Sequence, residues 1–167
     1  FGMKFIDLGF KYLYKDIKTA MYRFNQAYIM DSTNTDIYWG YGGVYMTLGD
    51  ITRAKEQYQI GIEKDAKNYK ILTDLATCYM IDYYALSETD SNSLDTAIEL
   101  LTKSYKINKK YQSTLFKISV CYFNKKDCKN ALKYYNECMK LGGHPVTEEY
   151  KKAIKEACGG KWWYITQ

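Results

Sequence analysis

The sequence offers few residues that could carry catalysis. His144 is the single histidine, and it lies in a Gly-Gly-His-Pro turn with no nucleophile or orienting group close to it in the sequence. A catalytic histidine works with a positioned nucleophile and a third group that orients it. Gly40, Gly42 and Gly43 lack the preceding strand and the Gly-Lys-Ser/Thr ending of a phosphate loop. We therefore expect no catalytic residues and no enzyme activity.

The acidic residues and the cysteines also lack the spacing of a metal site. Glu88, Asp90 and Asp95 do not follow the calcium-loop pattern, and we expect them in a solvated turn. The chain has five cysteines: Cys78, Cys121, Cys128, Cys138 and Cys158. None of them forms the Cys-x-x-Cys pair of a zinc site. We predict no metal site and no cofactor.

The charge is unevenly distributed along the chain. The net charge is +5, but residues 1–100 hold ten basic and fourteen acidic residues, whereas residues 101–167 hold fourteen lysines and five acidic residues. Such asymmetry is typical either of an anionic partner or of a solvated basic helix face. No stretch approaches the about 18–20 apolar residues of a membrane span, so we expect no transmembrane segment.

A recurring unit indicates which elements position these residues. Residues 35–68 form a 34-residue unit that recurs, in degenerate form, along nearly the whole chain. It has small residues at Gly42, Ala54 and Gly61, large aromatic residues between them, and a turn at Gly49-Asp50 that separates two amphipathic stretches. A fixed period of this length is typical of a helical repeat array. The unit resembles the tetratricopeptide repeat, a helix–turn–helix unit that stacks into a superhelix.

The resemblance implies an all-α fold, a right-handed superhelix of about four antiparallel helix pairs with a C-terminal capping helix. The four predicted repeats cover residues 4–34, 35–68, 69–111 and 112–143, with approximate bounds. A polar loop near residues 87–93 is inserted in the third repeat. The small residues of the repeats are expected at close helix contacts: Gly42, Ala54, Gly61, Ala97 and Ala131.

The C-terminal part is predicted to close the array. The capping helix is placed over 147–158, because Thr147 is a favourable N-cap and Tyr150, Ile154 and Cys158 continue one apolar stripe. Residues 1–158 are thus predicted to form a single array, and residues 159–167 an aromatic tail.

In this family the first helix of each repeat lines the concave face, and the resemblance implies a binding groove there. The groove residues are Phe10, Trp39, Gly40, Gly43, Met46, Lys70, Asp74, Met80, Phe116, Lys117 and Phe123. Trp39 is the expected anchor, because Gly40 and Gly43 would let a ligand backbone approach it. The alternative is that Trp39 packs inside the array and the glycines only permit helix contact. Of the lysines and asparagines that grip a C-terminal carboxylate in the carboxylate-clamp group, only Lys70 is present, so such a ligand is not expected.

The array also predicts where the cysteines lie. Cys128 begins the second helix of repeat four, and Cys158 ends the antiparallel helix that follows, so the two should be neighbours. In an oxidising compartment they would form a disulfide, and in the cytosol a pair of thiols. Cys121 and Cys138 are expected at buried or half-buried helix positions.

The resemblance implies a non-enzymatic protein–protein interaction scaffold that binds a peptide segment or protein surface of unknown identity. The alternative is binding of an anionic polymer or membrane surface through the basic C-terminal third; nucleic acid is not an expected partner. Similar small stand-alone bacterial repeat proteins include exported ones, which favours the cell envelope or periplasm over the cytoplasm. The tail over 161–167, with three consecutive aromatic residues, is expected to dock on the last repeat or on a neighbouring molecule as a homo-oligomer. A vector-derived or loose terminus is the alternative.

Overall fold

Nine α-helices make up the part of the chain that the structure, a computed structural model, describes, namely residues 2–86 and 91–160. The helices are α1 Gly2–Tyr12, α2 Ile17–Met30, α3 Asp36–Thr47, α4 Ile51–Lys64, α5 Tyr69–Ala85, α6 Ser91–Ile107, α7 Gln112–Asn124, α8 Cys128–Lys140 and α9 Glu148–Cys158. These residues contain no strand. The predicted all-α fold is confirmed.

The chain divides into two compact units, residues 1–78 (unit 1) and 79–167 (unit 2). In unit 1, α1 packs against α2 and α3 against α4, and short turns make the members of each pair antiparallel. Between the helices lie large side chains that are at most 1% exposed, including Phe24, Ile37, Val44, Tyr58 and Ile71. Burial of this apolar surface is the main force that holds the pairs together.

The turn inside a helix pair has the same design in both units. Asp16, Asp50 and Asp127 precede α2, α4 and α8, and each carboxylate accepts a hydrogen bond from the backbone N–H three residues on, at 3.1, 3.0 and 3.1 Å. Such a cap satisfies an N–H that the helix itself leaves unpaired. Gly49 has a φ of +76° and Lys126 one of +59°, so a left-handed residue directly precedes two of these aspartates. The turn predicted at Gly49-Asp50 is confirmed.

Unit 2 is closed by α9, which packs against α8. Thr147 caps α9 as predicted, because its Oγ1 accepts a hydrogen bond from the Tyr150 N–H at 3.2 Å. The Tyr150 hydroxyl lies 2.7 Å from Ser119 Oγ, which donates to the Ala131 carbonyl at 2.7 Å. Ser119 is buried, so this small network ties α7, α8 and α9 together without leaving a buried polar atom unpaired.

Some predicted boundaries differ from the structure or lie outside it. Because α6 begins at Ser91, the last three residues of the predicted loop over 87–93 are helical, and so is Asp95, which was expected in a turn. Residues 87–90 and the tail over 161–167 lie outside the described residues. The single array over 1–158, the repeat limits and the role of the tail remain predictions.

All five small residues expected at close helix contacts are buried, which confirms that expectation. Ala54 on α4 is completely buried. We expect Ala54→Leu to lower the free energy of unfolding by about 1–3 kcal/mol, because the larger side chain would overpack the contact. Urea denaturation followed by far-UV circular dichroism measures the change. Glu56→Leu is the control, since Glu56 is exposed on the same helix; equal effects of the two substitutions would contradict the prediction.

Candidate functional site

A pocket of about 620 Å³ lies in unit 1, on the face shared by α1, α3 and α5. We call it the unit 1 pocket. Five of the predicted groove residues line it: Phe10, Trp39, Gly43, Met46 and Asp74. The spacing of the repeat therefore brings together side chains that are far apart in the sequence.

Trp39 is held in place at the wall of this pocket. Its indole Nε1–H donates a hydrogen bond to Asp74 Oδ2 at 2.7 Å. Its ring lies 4.3 Å from the Phe10 ring, centroid to centroid, and the Lys70 Nζ is 4.8 Å from the Trp39 ring centroid. The side chain remains half-buried. Trp39 is thus fixed by contacts from α1 and α5 while part of it still faces the solvent.

The charged residues beside Trp39 form a paired rim. Lys70 Nζ is 3.1 Å from Asp36 Oδ2, and Asn68 Nδ2 donates to Asp36 Oδ1 at 3.1 Å. Asn68 also reaches Thr35 Oγ1 at 3.0 Å. A part-exposed ion pair contributes about 0.2–1 kcal/mol to stability, so the main effect of this rim is to orient Lys70.

Tyr58, one of the large aromatic residues of the repeat, is a pocket residue that was not among the predicted groove residues. It lies on α4, is 1% exposed and nevertheless reaches the pocket wall. Gly42 makes this possible, because a Cβ there would lie 2.1 Å from Tyr58 Cε1. Burial, with a smaller contribution from Asp74, raises the pKa of the Tyr58 hydroxyl, which therefore stays protonated at neutral pH.

Gly40 does not have the place that the sequence suggested. It is buried against Phe24, and a Cβ at Gly40 would lie 2.3 Å from Phe24 Cε1. The space beside Gly40 is therefore filled from α2 and is closed to a ligand backbone. Gly43 does line the pocket, although Leu13 Cδ2 lies 3.2 Å from the position of a Cβ there.

The remaining four groove residues, Met80, Phe116, Lys117 and Phe123, belong to unit 2. Met80 is buried and Lys117 is half-buried. The rings of Phe116 and Phe123 lie 5.3 and 5.6 Å from the Tyr150 ring. Tyr150 of α9 thus covers aromatic surface that was expected to stay open, because the capping helix packs on that face of α7.

The structure joins Cys128 and Cys158, as the antiparallel arrangement of α8 and α9 suggested. Their Sγ atoms are 2.00 Å apart and their Cα atoms 5.3 Å apart, so they form a disulfide between the start of α8 and the end of α9. The other three cysteines are buried. Burial raises the pKa of the Cys121 thiol to about 12 and also raises that of Cys138, so both behave as small apolar core residues, as predicted.

Several lysines of the basic C-terminal third form ion pairs that reduce its positive electrostatic potential. Lys103 pairs with Glu99 at 2.8 Å, Lys151 pairs with Glu148 at 2.6 Å, and Lys125 pairs with Asp95. His144 is exposed, and its backbone N–H donates to Gln112 Oε1 at 3.0 Å. No group of three or more His, Cys, Asp or Glu side chains suited to a metal occurs in residues 2–86 and 91–160. Over the same residues, no helix has both the length and the apolar character needed to cross a membrane.

Comparisons with known proteins agree with this architecture. No protein-family model matches the sequence, and no curated protein is significantly similar to it. Solved structures do match. A thermophilic tetratricopeptide-repeat (TPR) protein of Thermus thermophilus superposes with a TM-score of 0.76 at 16% identity, over 94% of this chain and 81% of the other. The chain has the tetratricopeptide-repeat fold.

Two further structures with high similarity to this TPR-fold chain extend the comparison. Pseudomonas aeruginosa pilF matches with a TM-score of 0.76 at 15% identity, over 98% of this chain and 70% of the other. The first TPR of Spaghetti (RPAP3), bound to the HSP90 peptide SRMEEVD, matches with a TM-score of 0.63 at 19% identity, over 77% of this chain and 94% of the other. At these identities the similarity concerns the fold alone.

Proposed function

We propose that this TPR-fold chain is a non-enzymatic interaction scaffold, and that the unit 1 pocket receives one side chain from a peptide segment of a protein partner. The observation that carries the proposal is the state of Trp39, which is half-buried, fixed by Asp74 and placed at the wall of a pocket of about 620 Å³. Large, partly exposed aromatic residues beside a pocket are the usual anchors of protein interfaces.

The fixed geometry of Trp39 favours binding for a thermodynamic reason. A side chain that becomes ordered only on binding costs about 0.5–1.5 kcal/mol of conformational entropy. Phe10 and Asp74 already hold the Trp39 ring in the unbound protein, so most of this cost is met during folding. The free energy gained from apolar contact with the ring then contributes to affinity with little loss to ordering of the Trp39 side chain.

The fold of the chain is compatible with this use. The RPAP3 domain with a similar fold holds an acidic HSP90 peptide. For the present chain, the pocket lining supports a peptide partner, whereas the missing lysines and asparagines speak against an acidic C-terminus as the ligand. Partner selection would therefore rest on Trp39 and its neighbours.

We expect Trp39→Ala to weaken binding of a partner segment by about 2 kcal/mol or more, because truncation removes the anchor of the pocket. The probe is a displayed library of random twelve-residue peptides, selected on the intact protein. Enriched peptides are then synthesised and titrated by isothermal calorimetry. Tyr22→Ala is the control, since Tyr22 is 58% exposed and lies outside the unit 1 pocket.

Two results would contradict the proposal. One is that the enriched peptides bind Trp39→Ala, with its helical circular dichroism intact, as well as they bind the parent protein. The other is that binding survives the substitution but collapses as salt is added. The second result would favour the basic C-terminal third and an anionic partner, since counterion release gives such binding a steep salt dependence.

A further inference from the structure

We propose that the side chain received by the unit 1 pocket is basic, an arginine or lysine of the partner segment. The inference rests on the proposed function, because it names what that pocket selects. It follows from the hydrogen-bonding groups, the rings and the charge that the pocket presents.

Two of the donors at the pocket wall are used within the protein. The Trp39 indole N–H is donated to Asp74, and the Thr77 hydroxyl donates to the Thr73 carbonyl at 3.0 Å. The wall also presents the Asp74 carboxylate, which only accepts hydrogen bonds, and the Tyr58 hydroxyl, which can accept or donate one. A ligand that hydrogen-bonds to the Asp74 carboxylate has to bring donors, and ammonium and guanidinium groups have donors and no acceptor.

Tyr58 places a second polar group at the pocket wall. Its side chain is 1% exposed and lines the pocket. Because a hydroxyl oxygen accepts hydrogen bonds, a ligand that donates to the Tyr58 oxygen gains an interaction inside the pocket. The hydroxyl is protonated and neutral at physiological pH, because burial raises its pKa. It therefore does not add a second negative charge.

The walls of the pocket also suit a cation with an aliphatic stem. The rings of Phe10, Tyr14, Trp39 and Tyr58 line it. The faces of such rings attract ammonium and guanidinium groups, and the aliphatic stem of the ligand packs on the same surfaces. The protein already uses this contact at the rim, where Lys70 Nζ lies 4.8 Å from the Trp39 ring centroid.

Charge complementarity separates a basic ligand from an acidic one. Asp74 places a carboxylate in the lining of a pocket that is otherwise mostly aromatic and aliphatic. Basic and acidic side chains both lose hydration on entry, but a basic one is compensated by attraction to this charge, whereas a glutamate or aspartate is repelled by it. Specificity of this kind excludes the wrong partner as well as attracting the right one.

The experiment uses the intact protein and two small probes, N-acetyl-arginine amide and N-acetyl-citrulline amide. Citrulline has the shape of arginine without its charge. The shift of the Trp39 indole N–H resonance in ¹H–¹⁵N spectra reports binding, and its assignment comes from the spectrum of Trp39→Phe. We expect a saturable shift with the arginine probe and at least about tenfold weaker binding of the citrulline probe.

Matched substitutions then locate the effect. Asp74→Asn should weaken binding of the arginine probe about tenfold, because the substitution removes the charge but keeps an oxygen that accepts the Trp39 N–H. Tyr58→Phe, which deletes only the hydroxyl, should weaken binding of this probe about threefold. Asp7→Asn should leave it unchanged, since Asp7 is an exposed carboxylate on α1 outside the pocket lining.

The possible results separate this inference from the proposed function. Equal binding of the two probes, no saturable shift with arginine, or full binding to Asp74→Asn would overturn the basic-ligand inference. If library selection still gave Trp39-dependent peptides without arginine or lysine, the proposed function would stand. If no Trp39-dependent peptide emerged and neither probe shifted the indole resonance, both proposals would fall.

Discussion

We expect Phe24→Ala to lower the free energy of unfolding by about 3–5 kcal/mol, a large share of the about 5–15 kcal/mol that typically stabilises a protein. Phe24 is fully buried on α2. A Cβ at Gly9 or Gly40 would lie 2.4 or 2.3 Å from Phe24 Cε1, so the ring is enclosed by the backbones of α1 and α3. Neither glycine has a side chain that could move into the space left by the ring, and the resulting cavity should persist.

Urea denaturation followed by circular dichroism measures the effect of Phe24→Ala. Ile29→Ala is the matched control, because Ile29 lies on the same helix and is 82% exposed. It should change the free energy of unfolding by no more than about 0.5 kcal/mol. If Phe24→Ala lowered the free energy of unfolding as little as the control does, the conclusion that the Phe24 side chain joins α1, α2 and α3 would be wrong.

Loss of the Cys128–Cys158 disulfide should have an effect of similar size. The bond closes a loop with a sequence separation of 30 residues. In the chain-entropy model, such a loop contributes about 3–4 kcal/mol by restricting the unfolded chain. We therefore expect the double substitution Cys128→Ser and Cys158→Ser, or reduction with dithiothreitol, to lower the thermal stability of unit 2.

The double-serine variant is also the control for reduction, since dithiothreitol should leave its melting temperature unchanged. Thiol counting on denatured, unreduced protein from its native compartment gives an independent reading. Three free thiols are expected, from Cys78, Cys121 and Cys138. A count of five would contradict the bond in that compartment.

Periodicity explains how much of unit 1 could be predicted from the sequence. A period of 34 residues assigns equivalent positions in successive helices, and contacts in the folded unit span nearly the same separation. Trp39 bonds to Asp74 across 35 residues, and Asp36 pairs with Lys70 across 34. The same pattern placed small residues such as Ala54 at helix contacts, because only a small side chain lets two helix backbones approach closely.

The parts that the sequence did not reveal depend on where a side chain points beyond its own helix. Tyr58 was recognised as a large repeat residue, but its path across Gly42 to the pocket is set by the rotation of α4 against α3. Likewise, the capping helix was predicted, yet the rings it covers, Phe116 and Phe123, follow from how α9 is seated. That seating involves the Ser119–Tyr150 hydrogen bond, whose partners are 31 residues apart and have no shared motif.

The place of the disulfide also determines how unit 2 would bear mechanical load. A pull transmitted through the chain after Cys158 passes through the sulfur bridge to Cys128 and enters the protein at the start of α8. The residues between the two cysteines, including most of α8 and α9, form a covalent ring outside the path of the force. They therefore bear no tension. Tension would therefore act first on α7 and the elements before it. A protease cut within the ring would leave the two fragments attached. The extension of the chain under force and the release of fragments after cleavage therefore both depend on whether this cysteine pair is oxidised.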